Sequence, residues 1–111
     1  MELKNAAEFD RVVTRVLEAL ADAFPRPIDL RFEDLGLVDG PAQVALNDVY
    51  NQTTDTEHRP QHVFAALCVR FLESEKYVSG TVHSDWAVGV VLTAKGLDLI
   101  GGPPNSLRTT H

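Results

Sequence analysis

Two of the four histidines stand at a spacing that could hold a metal ion. His58 and His62 are four residues apart, the separation that places two ligands on one face of a helix. However, Pro60 lies between them, so His58 is expected to precede the helix, and no cysteine is available as a partner. His83 and Asp85 belong to a different element. Exposed polar residues near a helix start explain the pair better than a metal site, and we expect neither metal nor cofactor.

Acid–base and nucleophilic chemistry find equally little support in the sequence. Glu73 and Glu75 are two positions apart on a predicted helix and face different directions, so they do not form a carboxylate pair. Cys68 is the only cysteine, and it lies on the apolar side of that helix, where a small core residue is more common than a nucleophile. The chain has no glycine-rich phosphate loop and no G-x-S-x-G motif. The sequence therefore predicts that the protein is not an enzyme.

These side chains fall in or beside a helix, hairpin and helix that organise the second half of the chain. Residues 61–75 carry large apolar residues at helical spacing, which predicts a helix that buries this face; they are Phe64, Leu67, Cys68, Phe71 and Leu72. Two β-rich runs follow at residues 77–83 and 86–93, and the Ser84-Asp85 pair between them is typical of a tight turn. Residues 94–100 are predicted to form a short closing helix.

This order of helix, hairpin and the closing segment LTAKGL resembles the end of a winged-helix (winged helix-turn-helix) domain, the DNA-binding module of many bacterial regulators. The resemblance covers about half the chain. It implies an α+β fold with three to four helices, a small antiparallel sheet and a β-hairpin wing. It also implies a role in transcription regulation, in a protein of bacterial or phage type. We expect one such domain over residues 1–101 and a linker-like, disordered tail over residues 102–111.

The first half of the chain supplies the other elements of this fold. Asn5 and Glu8 have the form of a capping box, and a helix is expected from there to Phe24. Residues 28–32 alternate between apolar and charged, which predicts a short strand. The winged-helix resemblance implies that this strand pairs with the hairpin as a third strand. Residues 42–50 are interpreted as a second helix, and residues 51–57 as an exposed connection. The predicted core consists of Phe9, Val13, Val16, Leu20, Phe64, Leu67, Phe71, Leu72, Val90, Leu97 and Ile100.

Charge and composition bear on the partner more than on the fold. Ten basic residues against sixteen acidic ones give a net charge of −6, whereas a duplex-binding domain draws much of its affinity from Lys and Arg. This balance lowers the expectation of DNA binding, although an acidic chain can still carry a basic patch. No apolar run approaches the length of a membrane span, and no signal peptide precedes the first helix, so we expect a cytoplasmic protein.

DNA binding predicts contacts at the start of the helix over residues 61–75. The candidate nucleic-acid-binding residues are Arg59, Gln61, His62 and, as a phosphate clamp, Arg70. A base-reading helix usually presents Arg, Lys, Asn, Gln, Ser or Thr, and this helix presents few of them.

Protein binding is the rival hypothesis, because the outer face of the same helix is predicted to be mostly apolar. With the large residues inward, at about 100° per residue, the centre of the exposed face falls on His62, Ala66, Val69 and Glu73. Small apolar residues beside an acid suit a protein–protein interface better than DNA. The simplest partner is a second copy of the chain, in a two-fold dimer. The sequence leaves DNA and protein open as alternative partners.

Overall fold

The computed structural model describes residues 3–46, 49–50 and 52–102, which form three helices and two small antiparallel sheets. The helices are α1 (Ala6–Ala23), α2 (Arg59–Ser74) and α3 (Ala94–Leu99). The strands are β1 (Ile28–Leu30), β2 (Gln43–Ala45), β3 (Thr53–Asp55), β4 (Val78–Val82) and β5 (Ala87–Leu92). The predicted α+β class is therefore confirmed. Most of the predicted tail, residues 103–111, lies outside the described residues.

Helix α1 has the predicted bounds but not the predicted cap. Asn5 stands at its start without a side-chain capping hydrogen bond, so the capping box is wrong. Glu8 instead pairs with Arg11, whose Nη2 lies 2.6 Å from Oε1. The same Nη2 donates to the carbonyl oxygen of Leu37 at 2.9 Å, which fastens the segment after β1 to the helix. The inner face of α1 consists of Val12, Val16, Leu17 and Leu20.

The three-stranded sheet has the order β1-β5-β4. β1 pairs antiparallel with β5, with Ile28 opposite Val90, so the prediction of a third strand beside the hairpin is confirmed. At the hairpin turn the N–H of His83 donates to the carbonyl oxygen of Trp86 at 2.7 Å. That bond closes a two-residue turn at Ser84-Asp85, as the sequence predicts.

Helix α3 is held against the start of the hairpin. The Thr93 hydroxyl accepts a hydrogen bond from the N–H of Gly96 at 3.1 Å, which caps the helix. Gly96 passes so close to β4 that a Cβ at this position would overlap the carbonyl oxygen of Tyr77. Only glycine permits this approach, so α3 packs closely against the residue that precedes β4.

The predicted second helix over residues 42–50 is wrong. β2 and β3 pair antiparallel there, with Val44 opposite Thr54, and we call this two-stranded hairpin the arm. Hydrogen bonds from Leu46 to Gln52 and from Thr56 to Ala42, at 2.8 and 2.9 Å, extend the ladder at both ends. Every residue of β2 and β3 is exposed, so neither face of the arm contributes to the core. The apolar residues of this segment lack a core to bury them as a helix, and β-branched residues favour the strand.

The core lies between the inner faces of α1 and α2 and the three-stranded sheet. Five predicted core residues are confirmed as buried, namely Val16, Leu20, Leu72, Val90 and Leu97. Phe9, Val13 and Phe64 are partly buried against them. Three predictions are wrong, because Leu67, Phe71 and Ile100 are 56%, 49% and 39% exposed. None of the helices in the described residues is long and apolar enough to cross a membrane.

Candidate interaction surface

Helix α2 packs into the core through a face that overlaps the predicted one only at Cys68 and Leu72. Its buried residues are His62, Ala65, Ala66, Cys68, Val69 and Leu72. The predicted exposed stripe of His62, Ala66 and Val69 is therefore wrong, since these residues are only 5%, 2% and 0% exposed. Glu73, the fourth member of the candidate protein interface, is half-buried. The surface of a folded monomer does not offer the first three of these side chains to a partner.

The burial of the small residues of α2, in place of the large ones, has a steric cause. α2 carries apolar residues on two roughly opposite sides, small ones around Ala65, Ala66 and Val69 and large ones around Leu67 and Phe71. The helix packs against both α1 and β4, and small side chains let the neighbouring backbones approach closely. Because protein cores are close-packed, the side of α2 with the small residues is buried, and Leu67 and Phe71 remain about half exposed.

The side with the large residues forms the exposed apolar surface of α2. Leu67 and Phe71 are about half exposed, and Phe64 is partly buried beside them. Phe9 of α1 extends the surface, because its ring meets that of Phe71 edge to face, with centroids 5.7 Å apart and planes at 80°. We call Phe9, Phe64, Leu67 and Phe71 the α2 surface. Contiguous apolar patches of this kind are typical of sites that bind other polypeptides.

A groove joins the α2 surface to the root of the arm. Its walls are Asp55, Thr56, Arg59, Pro60, Val63, Phe64 and Leu67. Asp55 and Thr56 come from the arm, and the remaining residues come from the first nine residues of α2. Pro60, Val63, Phe64 and Leu67 supply its apolar part, and Asp55 and Arg59 supply a charged pair.

Two of the four candidate DNA-binding side chains are bonded to the loop before the arm. The Gln61 amide nitrogen donates to the Asp39 carboxylate at 2.8 Å, and its oxygen accepts from the Asp39 N–H at 2.8 Å. His62 is buried, and its Nε2 donates to the carbonyl oxygen of Gly40 at 2.8 Å. A buried imidazole with its nitrogen already committed cannot reach a base edge. These two residues position the loop of Asp39 and Gly40 against α2.

The two candidate arginines also have partners within the fold. The Nε of Arg59 lies 3.6 Å from the Asp55 carboxylate in the arm and 3.7 Å from the Asp85 carboxylate at the hairpin turn. The Nη2 of Arg70 donates to the carbonyl oxygen of Val82 at 3.2 Å. Two carboxylates thus offset the charge of Arg59, and the potential that would attract phosphate is weakened.

Two further groups of chemical interest are the thiol of Cys68 and the aromatic pair at the tip of the hairpin. Cys68 is buried, and this burial, together with the negative charge of Glu8, raises the pKa of its thiol to about 11. A thiol with so high a pKa is a poor nucleophile at neutral pH. His83 stacks on Trp86 with ring centroids 4.5 Å apart, so the tip of the hairpin carries an aromatic pair that is partly open to solvent.

Sequence reasoning missed the α2 surface because it assigned the largest apolar side chains to the core. The signal that could have found it is the second stripe of Ala and Val on the same helix. Comparison with known protein families, with characterised proteins and with solved structures finds no match to this chain.

Proposed function

We propose that this chain is a non-enzymatic winged-helix domain that serves as a protein-interaction module, with the α2 surface as its binding face. The element order supports the fold assignment. α1, β1, α2 and the β4–β5 hairpin follow in the order of a winged helix, and β1 joins the hairpin as the third strand. The arm stands where the second helix of such a domain is expected.

The observation that carries the function is the exposure of Leu67 and Phe71 on the helix that a DNA-binding winged helix would place in the major groove. Large apolar side chains at the centre of that face offer no hydrogen bonds to base edges. Among the polar candidates, Gln61, His62 and Arg70 are hydrogen-bonded to Asp39, Gly40 and Val82, and Arg59 lies within ion-pair distance of Asp55 and Asp85. The apolar character of Leu67 and Phe71 and the internal pairing of the polar candidates both favour a polypeptide over duplex DNA as the binding partner.

The groove beside the α2 surface suits an amphipathic helix of the partner. Such helices bind by laying apolar residues at i, i+3, i+4 and i+7 into a hydrophobic groove. Here Pro60, Val63, Phe64 and Leu67 would receive those residues, and the pair of Asp55 and Arg59 would meet polar groups at one end of the partner helix. Aromatic side chains are frequent anchors of such interfaces, and Phe64 and Phe71 would fill that role here.

Site-specific photo-crosslinking in the source cells would test this function. A photoreactive amino acid replaces Leu67 in one variant and Ala21, an exposed residue of α1 outside the α2 surface, in the control. We expect a polypeptide adduct from position 67 only, and we expect Phe71→Glu introduced beside the probe to remove it. Sequencing the crosslinked polypeptide should reveal apolar residues at the i, i+3, i+4 and i+7 spacing of an amphipathic helix.

Two outcomes would contradict the proposal. One is the same adduct pattern from positions 67 and 21. The other is duplex DNA crosslinked at position 67, together with a salt-sensitive rise in fluorescence anisotropy when the purified protein meets a labelled duplex.

A further inference from the structure

The free edge of the arm is the feature from which a further site can be derived. In an antiparallel pair, residues alternate between those whose N–H and C=O face the partner strand and those whose groups face outward. The bonds from Leu46 to Gln52 and from Thr56 to Ala42 set this alternation. Val44 therefore faces β3, while the backbone groups of Gln43 and Ala45 face outward from β2. On β3 the outward groups belong to Thr53 and Asp55.

Within the described residues, no hydrogen bond satisfies the outward backbone groups of Gln43 and Ala45. Proteins usually guard such an edge with a charged side chain, a proline or a covering element. β3 carries the charge of Asp55, which Arg59 holds at the start of α2. β2 carries no charge, and its residues Gln43, Val44 and Ala45 are all exposed. The edge of β2 is thus the unguarded side of the arm.

We propose that the β2 edge pairs with the β2 edge of a second copy of this chain, which makes a four-stranded sheet of order β3-β2-β2-β3 across a two-fold axis. This goes beyond the proposed function, since it uses the edge of β2, whereas the α2 surface consists of residues of α1 and α2. A second copy fits because an uncharged strand meets itself without repulsion, even though the whole chain has a net charge of −6.

The two-fold axis passes between the Val44 residues of the two copies. Gln43 of each copy then lies opposite Ala45 of the other, and each such pair exchanges reciprocal N–H to C=O hydrogen bonds. The Val44 side chains, 44% exposed in one chain, meet across the axis in the pair that is not hydrogen-bonded, where side chains are closest. Pro41 cannot donate a hydrogen bond and so ends the new ladder.

Proline substitution tests this pairing, because the outward N–H can be removed without touching the bonds inside the arm. Ala45→Pro removes one of the two outward N–H groups of β2, and Thr53→Pro removes one of the two outward N–H groups of β3 and serves as the matched control. One strand pair is small beside a standard interface of about 800 Å² per partner. We therefore expect a weak dimer, which sedimentation detects between micromolar and millimolar concentration. Ala45→Pro should sediment as a monomer throughout, and Thr53→Pro as the wild type does.

Amide hydrogen exchange supplies a measurement that needs no substitution. As the wild-type concentration rises, the amides of Gln43 and Ala45 should become protected, and the amide of Thr53 should not. A wild type that stays monomeric at millimolar concentration would overturn the pairing, as would equal loss of the dimer in both proline variants. Loss of the dimer on Leu67→Glu alone would also overturn it, and would leave the proposed role of the α2 surface intact. Conversely, a missing crosslink at position 67 would leave the pairing of β2 unaffected.

Discussion

The same chemical change at two positions of α2 distinguishes the face that the structure buries from the face that the sequence predicts. Leu72 is 2% exposed and Leu67 is 56% exposed, and both were predicted to lie inward. Replacing either leucine by alanine removes the same atoms from the same helix, so differences in helix propensity cancel. The change in unfolding free energy then depends on burial alone.

The expected values follow from the transfer of the lost carbon atoms. Leu→Ala removes the equivalent of three CH₂ groups, each worth about 0.8 kcal/mol when fully buried, or about 2.4 kcal/mol in total. Leu72→Ala also leaves a closed cavity, which brings the expected loss to about 3 kcal/mol, within the roughly 2–5 kcal/mol range for such changes. At Leu67, 56% exposed, less than half of the transfer term applies and no closed cavity forms, so we expect about 1 kcal/mol.

Guanidinium denaturation followed by circular dichroism measures both variants under one protocol. The transition midpoints should shift while the slopes stay equal, so that the difference reports stability and not a change of the unfolded state. Equal losses at the two positions would refute the assignment of the buried face. A larger loss at Leu67 would restore the face that the large residues predicted.

Two further predictions concern positions outside the α2 surface. Gly96→Ala should lower the unfolding free energy by about 1–3 kcal/mol, as overpacking does, because its Cβ would overlap the Tyr77 carbonyl oxygen. Ala94→Gly, at an exposed position of the same helix, is the control. If Gly96→Ala lowers the melting temperature no further than this control does, the close approach is contradicted. Burial raises the pKa of Cys68 to about 11, so the thiol stabilises the fold below its unfolded pKa and this contribution is lost as pH rises through the folded value. Stability should therefore fall more steeply above pH ~9 in the wild type than in Cys68→Ala, and parallel pH profiles would argue against the raised pKa.

The parts of the fold that local patterns specify could be predicted from the sequence. The bounds of α1, the hairpin of β4 and β5 and its two-residue turn follow from periodicity, proline and turn residues that act over short distances. The pairing of β1 with β5 came from the winged-helix resemblance, and the structure confirms it. The arm was missed because Val44, Leu46, Val49 and Tyr50 are apolar at spacings that also suit a helix, and only the lack of a core surface above them decides for strands.

The candidate site was less predictable for a similar reason. Which stripe of α2 turns inward depends on how closely α1 and β4 approach it, and this is a property of the assembled core. The polar candidates were predicted at the helix start, and they do lie there, but their partners Asp39, Gly40, Asp55 and Asp85 are distant in sequence. Long-range pairing of this kind leaves no local pattern to detect.

Arg59 connects the arm with the turn of the β4–β5 hairpin. One guanidinium is shared by Asp55 in the arm and Asp85 at the hairpin turn. A movement of the arm away from Arg59 would weaken the Arg59–Asp55 pair and allow Arg59 to approach Asp85. A ligand that binds Asp85 would likewise allow Arg59 to approach Asp55. Thermodynamic linkage makes this influence reciprocal and equal in both directions. Binding of a ligand at the hairpin turn would therefore change the affinity of the arm for a second strand, and the reverse.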